Sequence, residues 1–248
     1  MTDHKKEFIK LFNRTANYVD RYQLFSDFID CATGAIHNRF VHCDDLEEKY
    51  LECVKRYKPE DMMNMSRLLT EVVMGLDQKF CDFLGDIYME LALGNKWRGQ
   101  VFTPYHLSQL CAQLNYGGQF QELDDRPFVT VQEPACGSGS MVIAFAETML
   151  GAGHNPQEKM WAQCVDVDTR CAQMTFIQLS LLGIPAKVTI GNSLSGEFSR
   201  TMYTSGYYLF GWSTKLKEYG NQLKEPQLGQ RQDRKTSQLT LFDFDLAS

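Results

Sequence analysis

The chain has 248 residues, of which 44% are hydrophobic and 23% charged, and its formal net charge is −6. This size and composition predict a soluble globular protein with one sizeable core, or one domain beside a smaller helical one. No apolar run is long enough to cross a membrane and the first residues lack a signal-peptide pattern, so we expect a cytoplasmic protein with no membrane contact. The negative charge argues against a generally basic, nucleic-acid-binding surface but leaves a local basic patch open.

The eight cysteines are scattered along the chain, and none forms a Cys-x-x-Cys pair. Most of them lie within apolar periodic segments, where buried and reduced thiols are the usual case. The spacing therefore predicts neither a disulfide framework nor a zinc site.

The first part of the chain has a helical pattern throughout. Apolar residues recur at helical spacing from about Lys5 to Leu93. Two helices are predicted over Asp61–Gly75 and Phe80–Leu93, and Pro59 suits the start of the first. We expect an N-terminal helical domain over residues 1–98.

After Arg126 and Pro127 the pattern changes to strands that alternate with helices. The predicted strands are Phe128–Val131, Trp161–Val165 and Lys187–Ile190, and the predicted helices are Met141–Leu150 and Thr169–Leu182. Such an alternation predicts an α/β fold with a doubly wound, mainly parallel sheet, which we assign to a domain over residues 99–212. After Leu194 the sequence shows no clear apolar strand.

The C-terminal part, residues 213–248, is predicted to be a flexible tail. From about Lys215 to Ser237 it is rich in Gln, Lys, Arg, Gly and Asp and poor in apolar residues, a composition that rarely forms a packed core. It ends in a short apolar segment from Leu239 to Leu246.

The strongest functional signal is a glycine turn between the first predicted strand and the following helix. Its sequence is Glu133-Pro134-Ala135-Cys136-Gly137-Ser138-Gly139-Ser140. Glycines at the carboxyl end of a parallel strand let the backbone come close to a ligand. Asp166 ends the second strand and could accept both ribose hydroxyls, and Asn192 follows the third and could bond an adenine edge.

Known phosphate-binding loops fit this turn less well. Val142 occupies the place of the third glycine in the dinucleotide-binding pattern, and the Gly-x-x-x-x-Gly-Lys pattern is absent. A nucleoside-type ligand without phosphates is therefore favoured. The alternative is that the glycines only shape a strand–helix junction and that the carboxylates are helix caps.

Five segments in this order resemble the adenine-N6 DNA methyltransferases found as modification subunits of type I restriction systems. The segments are Asp82–Tyr88, Gly99–Pro104, Glu133–Ser140, Val165–Asp168 and Gly191–Leu194. The combination of Phe-Thr-Pro with the later Glu-Pro-Ala-Cys-Gly-Ser-Gly turn is the specific part. The resemblance implies a Rossmann-like methyltransferase domain in a protein from a bacterium, a phage or a mobile element.

The resemblance also implies S-adenosylmethionine as the cofactor and DNA as a partner, reached directly or through a second subunit. The implied cofactor-binding residues are Gln100, Phe102, Thr103, Pro104, Glu133, Cys136, Gly137, Ser138, Gly139, Ser140, Asp166 and Asn192. In this scheme Gln100, Phe102 and Thr103 line the methionine part, whereas Asp166 holds the ribose and Asn192 the adenine. The family usually has an acidic residue where this chain has Asn192.

One family motif is missing. The family orients the target amine with Asn/Asp/Ser-Pro-Pro-Tyr/Phe after the fourth strand, but none of the seven prolines here are adjacent. The nearest match starts at Thr204 and ends at Tyr207, so these two are weak catalytic candidates. The alternative is that the aromatic residues 207–212 belong to the core. We therefore expect a truncated family member with weak or no activity alone, or an inactive module that acts through binding.

The end of the tail resembles the peptide by which bacterial proteins dock on the sliding clamp. The matching residues are Gln238, Leu239, Leu241 and Phe242. A flexible linker could present these side chains to an apolar groove. The alternative is that the apolar end folds back on its own domain.

Overall fold

The computed structural model describes residues 2–91, 93, 102–116, 123 and 126–224. The described residues form an N-terminal group of helices and a four-stranded sheet with its own helices. Within this part of the chain, no helix is both long enough and apolar enough to span a bilayer.

The N-terminal region is helical, as the sequence predicts. Its helices are α1 (His4–Arg14), α2 (Arg21–His37), α3 (Asp44–Arg56), α4 (Pro59–Gln78) and α5 (Phe83–Glu90). Aspartates cap three of them, because the carboxylates of Asp3, Asp20 and Asp82 accept hydrogen bonds from first-turn amides. The predicted helix 61–75 is longer at both ends, and the one predicted to start at Phe80 starts at Phe83.

The second part contains the sheet. Its elements are α6 (Tyr105–Tyr116), β1 (Val129–Glu133), α7 (Ser140–Gly151), α8 (Pro156–Lys159), β2 (Met160–Asp166), α9 (Thr169–Leu181), β3 (Ala186–Asn192), β4 (Glu197–Tyr203), α10 (Ser205–Leu209) and α11 (Trp212–Lys224). The strand order is β1-β2-β3-β4, and the first three strands are parallel. The predicted α/β fold with a mainly parallel sheet is confirmed.

The fourth strand corrects the expectation that none follows Leu194. β4 pairs antiparallel with β3, with Lys187 opposite Tyr203 and Asn192 opposite Glu197. The backbones approach closely at the bulge beside Gly191, where a Cβ would lie 2.7 Å from Phe198 Cδ1. β4 was missed because most of its side chains are exposed and polar, so it lacks the apolar pattern of a core strand.

Helix α11 corrects the predicted start of the flexible tail. Trp212 is fully buried against Phe128 and Trp161, and Leu216 and Tyr219 pack on the same cluster. These three residues recur at i, i+4 and i+7, which is the spacing of one helix face. Residues 225–248, with Gln238, Leu239, Leu241 and Phe242, lie outside the described residues, so the docking peptide stays a prediction.

A single hydrophobic core connects the two parts. It includes Phe28 and Phe83 from the N-terminal helices, Ile143 from α7 and Phe176 from α9. The predicted boundary at residues 98 and 99 lies outside the described residues. The core nevertheless places the N-terminal helices directly against the sheet's own helices.

Candidate functional site

The carboxyl ends of the three parallel strands are joined by hydrogen bonds. The amide of Gly137, in the turn after β1, donates to Asp166 Oδ2 at the end of β2, at 2.8 Å. The Cys136 amide donates to the carbonyl of Val165 at 2.9 Å. Ser193, just after β3, donates from Oγ to the carbonyl of Pro134 at 2.9 Å. The structure thus brings together the three strand ends that the sequence singled out.

The turn needs its glycines. Gly137 and Gly139 have φ angles of 54° and 97°, in the left-handed region that side chains other than glycine avoid. A Cβ at Gly137 would lie 3.2 Å from the ring of Phe102, and a Cβ at Gly139 would lie 3.2 Å from Thr175 Oγ1. A side chain at Gly137 or Gly139 would therefore need both a strained backbone and a small displacement of its neighbour.

Phe102 lies beside the turn, with its ring next to Gly137. Its half-buried ring packs on Tyr88 with 5.3 Å between the centroids. Thr103 and Pro104 follow as exposed residues, and the Pro104 carbonyl accepts the Leu107 amide at the start of α6. Gln100 lies outside the described residues.

The side chains of Cys136, Ser138 and Ser140 in the turn are buried. Cys136 is 6% exposed, and its Sγ lies 3.4 Å from Thr175 Oγ1. Ser138 and Ser140 are also buried, and Ser140 Oγ is hydrogen-bonded to Ser108 Oγ at 2.8 Å. The side chains of Cys136, Ser138 and Ser140 hold the turn in place, so residues 136–140 offer only their backbone to a ligand.

Glu133 and Asp166 give the site its negative charge. Both are half-buried, and burial raises the pKa of each carboxyl. The charge of Asp166 raises the pKa of Glu133 further, while amide hydrogen bonds from Asp168 and Gly137 oppose the shift at Asp166. A carboxylate has about four acceptor positions, so the two amide bonds leave Asp166 able to accept ligand hydroxyls.

Asn192 contributes less than the sequence implied. It is exposed, and its Oδ1 accepts the amide of Leu194 at 2.9 Å in the turn between β3 and β4. The side-chain oxygen therefore stabilises its own turn. What Asn192 can offer to a ligand is its NH₂ group.

Thr204 and Tyr207, the two weak catalytic candidates, lie at the edge of the sheet opposite the glycine turn. Because β4 is antiparallel, it ends where β3 begins, and Thr204 donates to the carbonyl of Ile184 at 2.7 Å and accepts the amide of Ala186 at 2.8 Å. Tyr207 stacks on Tyr203 with centroids 4.4 Å apart. Of the aromatic residues in 207–212, Trp212 is buried and Tyr207 packs on the same cluster, whereas Phe210 is exposed.

Three residues that no sequence motif singled out as site residues support the turn from its buried side. Asp82, Thr175 and Gln178 are buried and hydrogen-bonded to Gly137 or Ser138. A signal was available for Thr175 and Gln178, since polar residues inside an otherwise apolar helix such as α9 need a hydrogen-bond partner.

A parallel sheet with a glycine turn after one strand and a carboxylate after the next defines a class of α/β proteins that bind nucleoside-type ligands at the strand ends. A family model described as N-6 DNA methylase matches residues 79–207, just over half of the chain. The chain therefore belongs to the N-6 DNA methylase family, which confirms the family inferred from the motifs.

Two known proteins are similar to the chain. The type I restriction enzyme MjaVIII methylase subunit of Methanocaldococcus jannaschii is 36% identical over 118 residues, which are 46% of this chain and only 18% of that protein. A crystal structure from Listeria monocytogenes, assigned to the class I S-adenosylmethionine-dependent methyltransferases, is 15% identical with a TM-score of 0.39. That match covers 75% of this chain and 52% of the other.

Proposed function

We propose that the chain binds S-adenosylmethionine at the carboxyl edge of β1–β3 and is the cofactor-binding part of an adenine-N6 DNA methyltransferase. The observation that carries the proposal is the hydrogen bond from the Gly137 amide to Asp166. It holds a glycine turn and a ribose-binding carboxylate side by side, as a nucleoside ligand requires.

The residues of the site fit this cofactor. When bound, S-adenosylmethionine supplies a methyl group on a positively charged sulfur. Glu133 and Asp166 provide negative charge for a cationic ligand, and the ring of Phe102 provides an apolar side next to Gly137. The acidic character of this edge also argues against a phosphate-bearing ligand.

We propose further that transfer by this chain alone is weak or absent. Methylation of a flipped adenine needs an acceptor to hold the amine and a ring to stack on the base. The only sequence candidates, Thr204 and Tyr207, lie at the wrong edge.

DNA would then be brought to the site by a partner subunit, because Glu133, Asp166 and Asp168 repel phosphates. This function places the chain in the cytoplasm.

Calorimetric titration with S-adenosylmethionine tests the cofactor claim. We expect binding by the wild type and at least about tenfold weaker binding by Asp166→Ala, which removes the ribose acceptor. Asp77→Ala is the matched control, since Asp77 is an exposed aspartate at the far end of α4 and should leave the affinity unchanged. No heat with the wild type would refute the proposal.

A methyl-transfer assay with tritiated cofactor and unmethylated DNA tests the activity claim. We expect incorporation at background level with the purified chain. Clear incorporation by the chain alone would show that another group orients the adenine, and the weak-activity claim would then be wrong.

The alternative is a binding module that acts through a sliding clamp, and it depends on the sequence of residues 238–242 alone. Leu241→Ala combined with Phe242→Ala should abolish retention on immobilised clamp, because the peptide would lose two of its apolar anchors. Failure of the wild type to bind would end this hypothesis without touching the cofactor claim.

A further inference from the structure

Asp82 is a buried carboxylate at the junction of the N-terminal helices and the glycine turn. It is 1% exposed and caps α5 by accepting the Gly85 amide on Oδ1 at 3.0 Å. A surface aspartate could perform that capping equally well, so capping alone does not explain its burial. The other hydrogen bonds of its side chain are to Ser138 in the glycine turn and to Gln178, which is itself hydrogen-bonded to Ser138.

Two side chains connect Asp82 to the turn. Ser138 donates from Oγ to Asp82 Oδ2 at 2.5 Å, and Gln178 of α9 donates from Nε2 to Asp82 Oδ1 at 2.9 Å. Gln178 Nε2 also donates to the backbone carbonyl of Ser138 at 2.7 Å, and its Oε1 accepts the Leu84 amide at 2.9 Å. Ser138 is thus held through both its hydroxyl and its carbonyl.

The packing around this network is tight. A Cβ at Gly85 would run into Asp82 Oδ2 and would lie 2.5 Å from Ser138 Oγ. Thr175 adds a second support from α9, donating from Oγ1 to the Gly137 carbonyl at 2.9 Å. The turn is therefore held on its buried side by Asp82 at the start of α5 and by residues of α9. At the carboxyl edge of the sheet it is held by Asp166.

We propose that Asp82 is a positioning residue, which sets the affinity for the cofactor by fixing Ser138 and with it the backbone of residues 137–139. Asp82 does not touch the ligand itself. The role rests on the proposed function, since it concerns the same site. It also assigns a task to the segment Asp82–Tyr88, which belongs to the N-terminal helices.

The carboxylate suits this task because every neighbour within hydrogen-bond distance donates to it. Three donors from three segments of the chain converge on its two oxygens. Burial raises the pKa of Asp82, and the hydrogen bonds from Gln178, Ser138 and Gly85 oppose that shift. With Asp82 replaced by Ala, these donors lose their common acceptor, and the hydroxyl of Ser138 is no longer held.

The test compares Asp82→Ala with Asp61→Ala. Asp61 is also a buried aspartate of the N-terminal helices, and it accepts the Ala16 amide at 2.9 Å and Tyr18 Oη at 2.8 Å. Both variants should have a lower melting temperature. Only Asp82→Ala should also weaken the binding of S-adenosylmethionine, by about tenfold, at a temperature where circular dichroism shows all proteins folded.

Two further variants keep the test decisive if Asp82→Ala does not fold. Ser138→Ala removes a single hydroxyl of the network and should weaken binding about threefold to tenfold. Asp82→Asn retains an oxygen acceptor for Gly85 and Gln178 and should recover most of the affinity lost in Asp82→Ala.

The outcomes separate the two claims. If the wild type binds and both Asp82→Ala and Ser138→Ala bind equally well, the positioning role is refuted while the proposed function stands. If Asp61→Ala weakens binding as much as Asp82→Ala, the effect is one of general stability and the role is again refuted. If the wild type does not bind, both claims fall.

Discussion

The two edges of the sheet differ in chemistry. At the carboxyl edge of β1–β3, backbone amides are paired with carboxylates that are only half-buried, and positive-φ glycines leave the backbone free of side chains. At the opposite edge, Phe128, Trp161 and Trp212 form a buried aromatic cluster, and the Thr204 hydroxyl has both a donor and an acceptor within the protein. At the carboxyl edge, hydrogen-bond acceptors remain available to a ligand. At the opposite edge, the Thr204 hydroxyl is hydrogen-bonded within the protein and stabilises the fold.

The direction of β4 decides which edge of the sheet its last residues reach. A parallel fourth strand would deliver its C-terminal residues to the cofactor edge. The chain reverses direction after Asn192, so β4 runs antiparallel to β3. Thr204 therefore lies at the opposite edge, beside the aromatic cluster. Having a similar residue at a similar place in the sequence is therefore not enough, because the direction of the strand decides which edge it reaches.

The largest effect should come from the aromatic edge. Trp212→Ala removes a fully buried indole whose Nε1 donates to the Gln157 carbonyl at 2.8 Å, and it should lower the free energy of unfolding by about 3–5 kcal/mol. Urea denaturation measures this loss. Cofactor affinity of the folded fraction should not change, and a change would mean that the two edges are coupled.

A substitution at the cofactor edge should affect both stability and binding. Gly139→Val forces a β-branched residue to a φ of 97° and should cost about 1–3 kcal/mol of stability. Binding of S-adenosylmethionine should fall below detection by calorimetry because the turn must move. Gly151→Ala is the control, since a Cβ there meets nothing within 4 Å, and it should bind normally. Normal binding by Gly139→Val would contradict the geometry assigned to the turn.

Thr204→Val sharpens the assignment of the former catalytic candidate. The valine leaves the Ala186 amide without its acceptor and should cost about 1–2 kcal/mol. Cofactor affinity and any methyl transfer by a reconstituted complex should remain within twofold of the wild type. Loss of transfer at unchanged stability would return Thr204 to the list of catalytic residues.

The smallest effect is a pH dependence. Because burial raises the pKa of Glu133 and Asp166, both carboxyls become protonated at a higher pH than ordinary carboxyls. As the pH falls through the range in which Glu133 and Asp166 become protonated, their negative charge is lost. The affinity for the cationic cofactor should therefore drop severalfold. The stability contribution of these two groups has the opposite sign, since it is present at low pH and lost as the pH rises through their raised pKa.

Titrations from the usual pH range of carboxyl groups up to neutral pH measure this dependence. Glu133→Gln has no charge to lose at that position, so its affinity should vary less with pH than that of the wild type. An equal variation in both proteins would assign the dependence to Asp166 or to another group.

The sequence predicts the parallel part of the fold well because local signals and tertiary structure agree there. β1, β2 and β3 are rich in apolar and β-branched residues and end at Glu133, Asp166 and Asn192, and the parallel fold class alone places these ends together. β4 and α11 were not predicted because both contain many polar residues, so their apolar periodicity is weak. Trp212, Leu216 and Tyr219 nevertheless have the spacing of one helix face.

The supporting residues of the site were harder to predict. Asp82 and Gln178 are 96 residues apart in sequence, and no local spacing links them. Their partnership depends on how α5 packs on α9, which is a property of the whole core. Side-chain orientation at Asn192 was likewise unpredictable, because the amide oxygen is used by the turn that follows.

The hydrogen bond between the Gly137 amide and Asp166 also gives the protein a spectroscopic reporter. Most amides of a sheet donate to backbone carbonyls, whose acceptor strength does not change with pH. The acceptor of the Gly137 amide is a titratable side chain at 2.8 Å. The proton chemical shift and solvent-exchange rate of this amide, and of the Asp168 amide that also donates to Asp166, therefore follow the charge of Asp166, so nuclear magnetic resonance of the isotope-labelled protein can read the state of the site without any ligand.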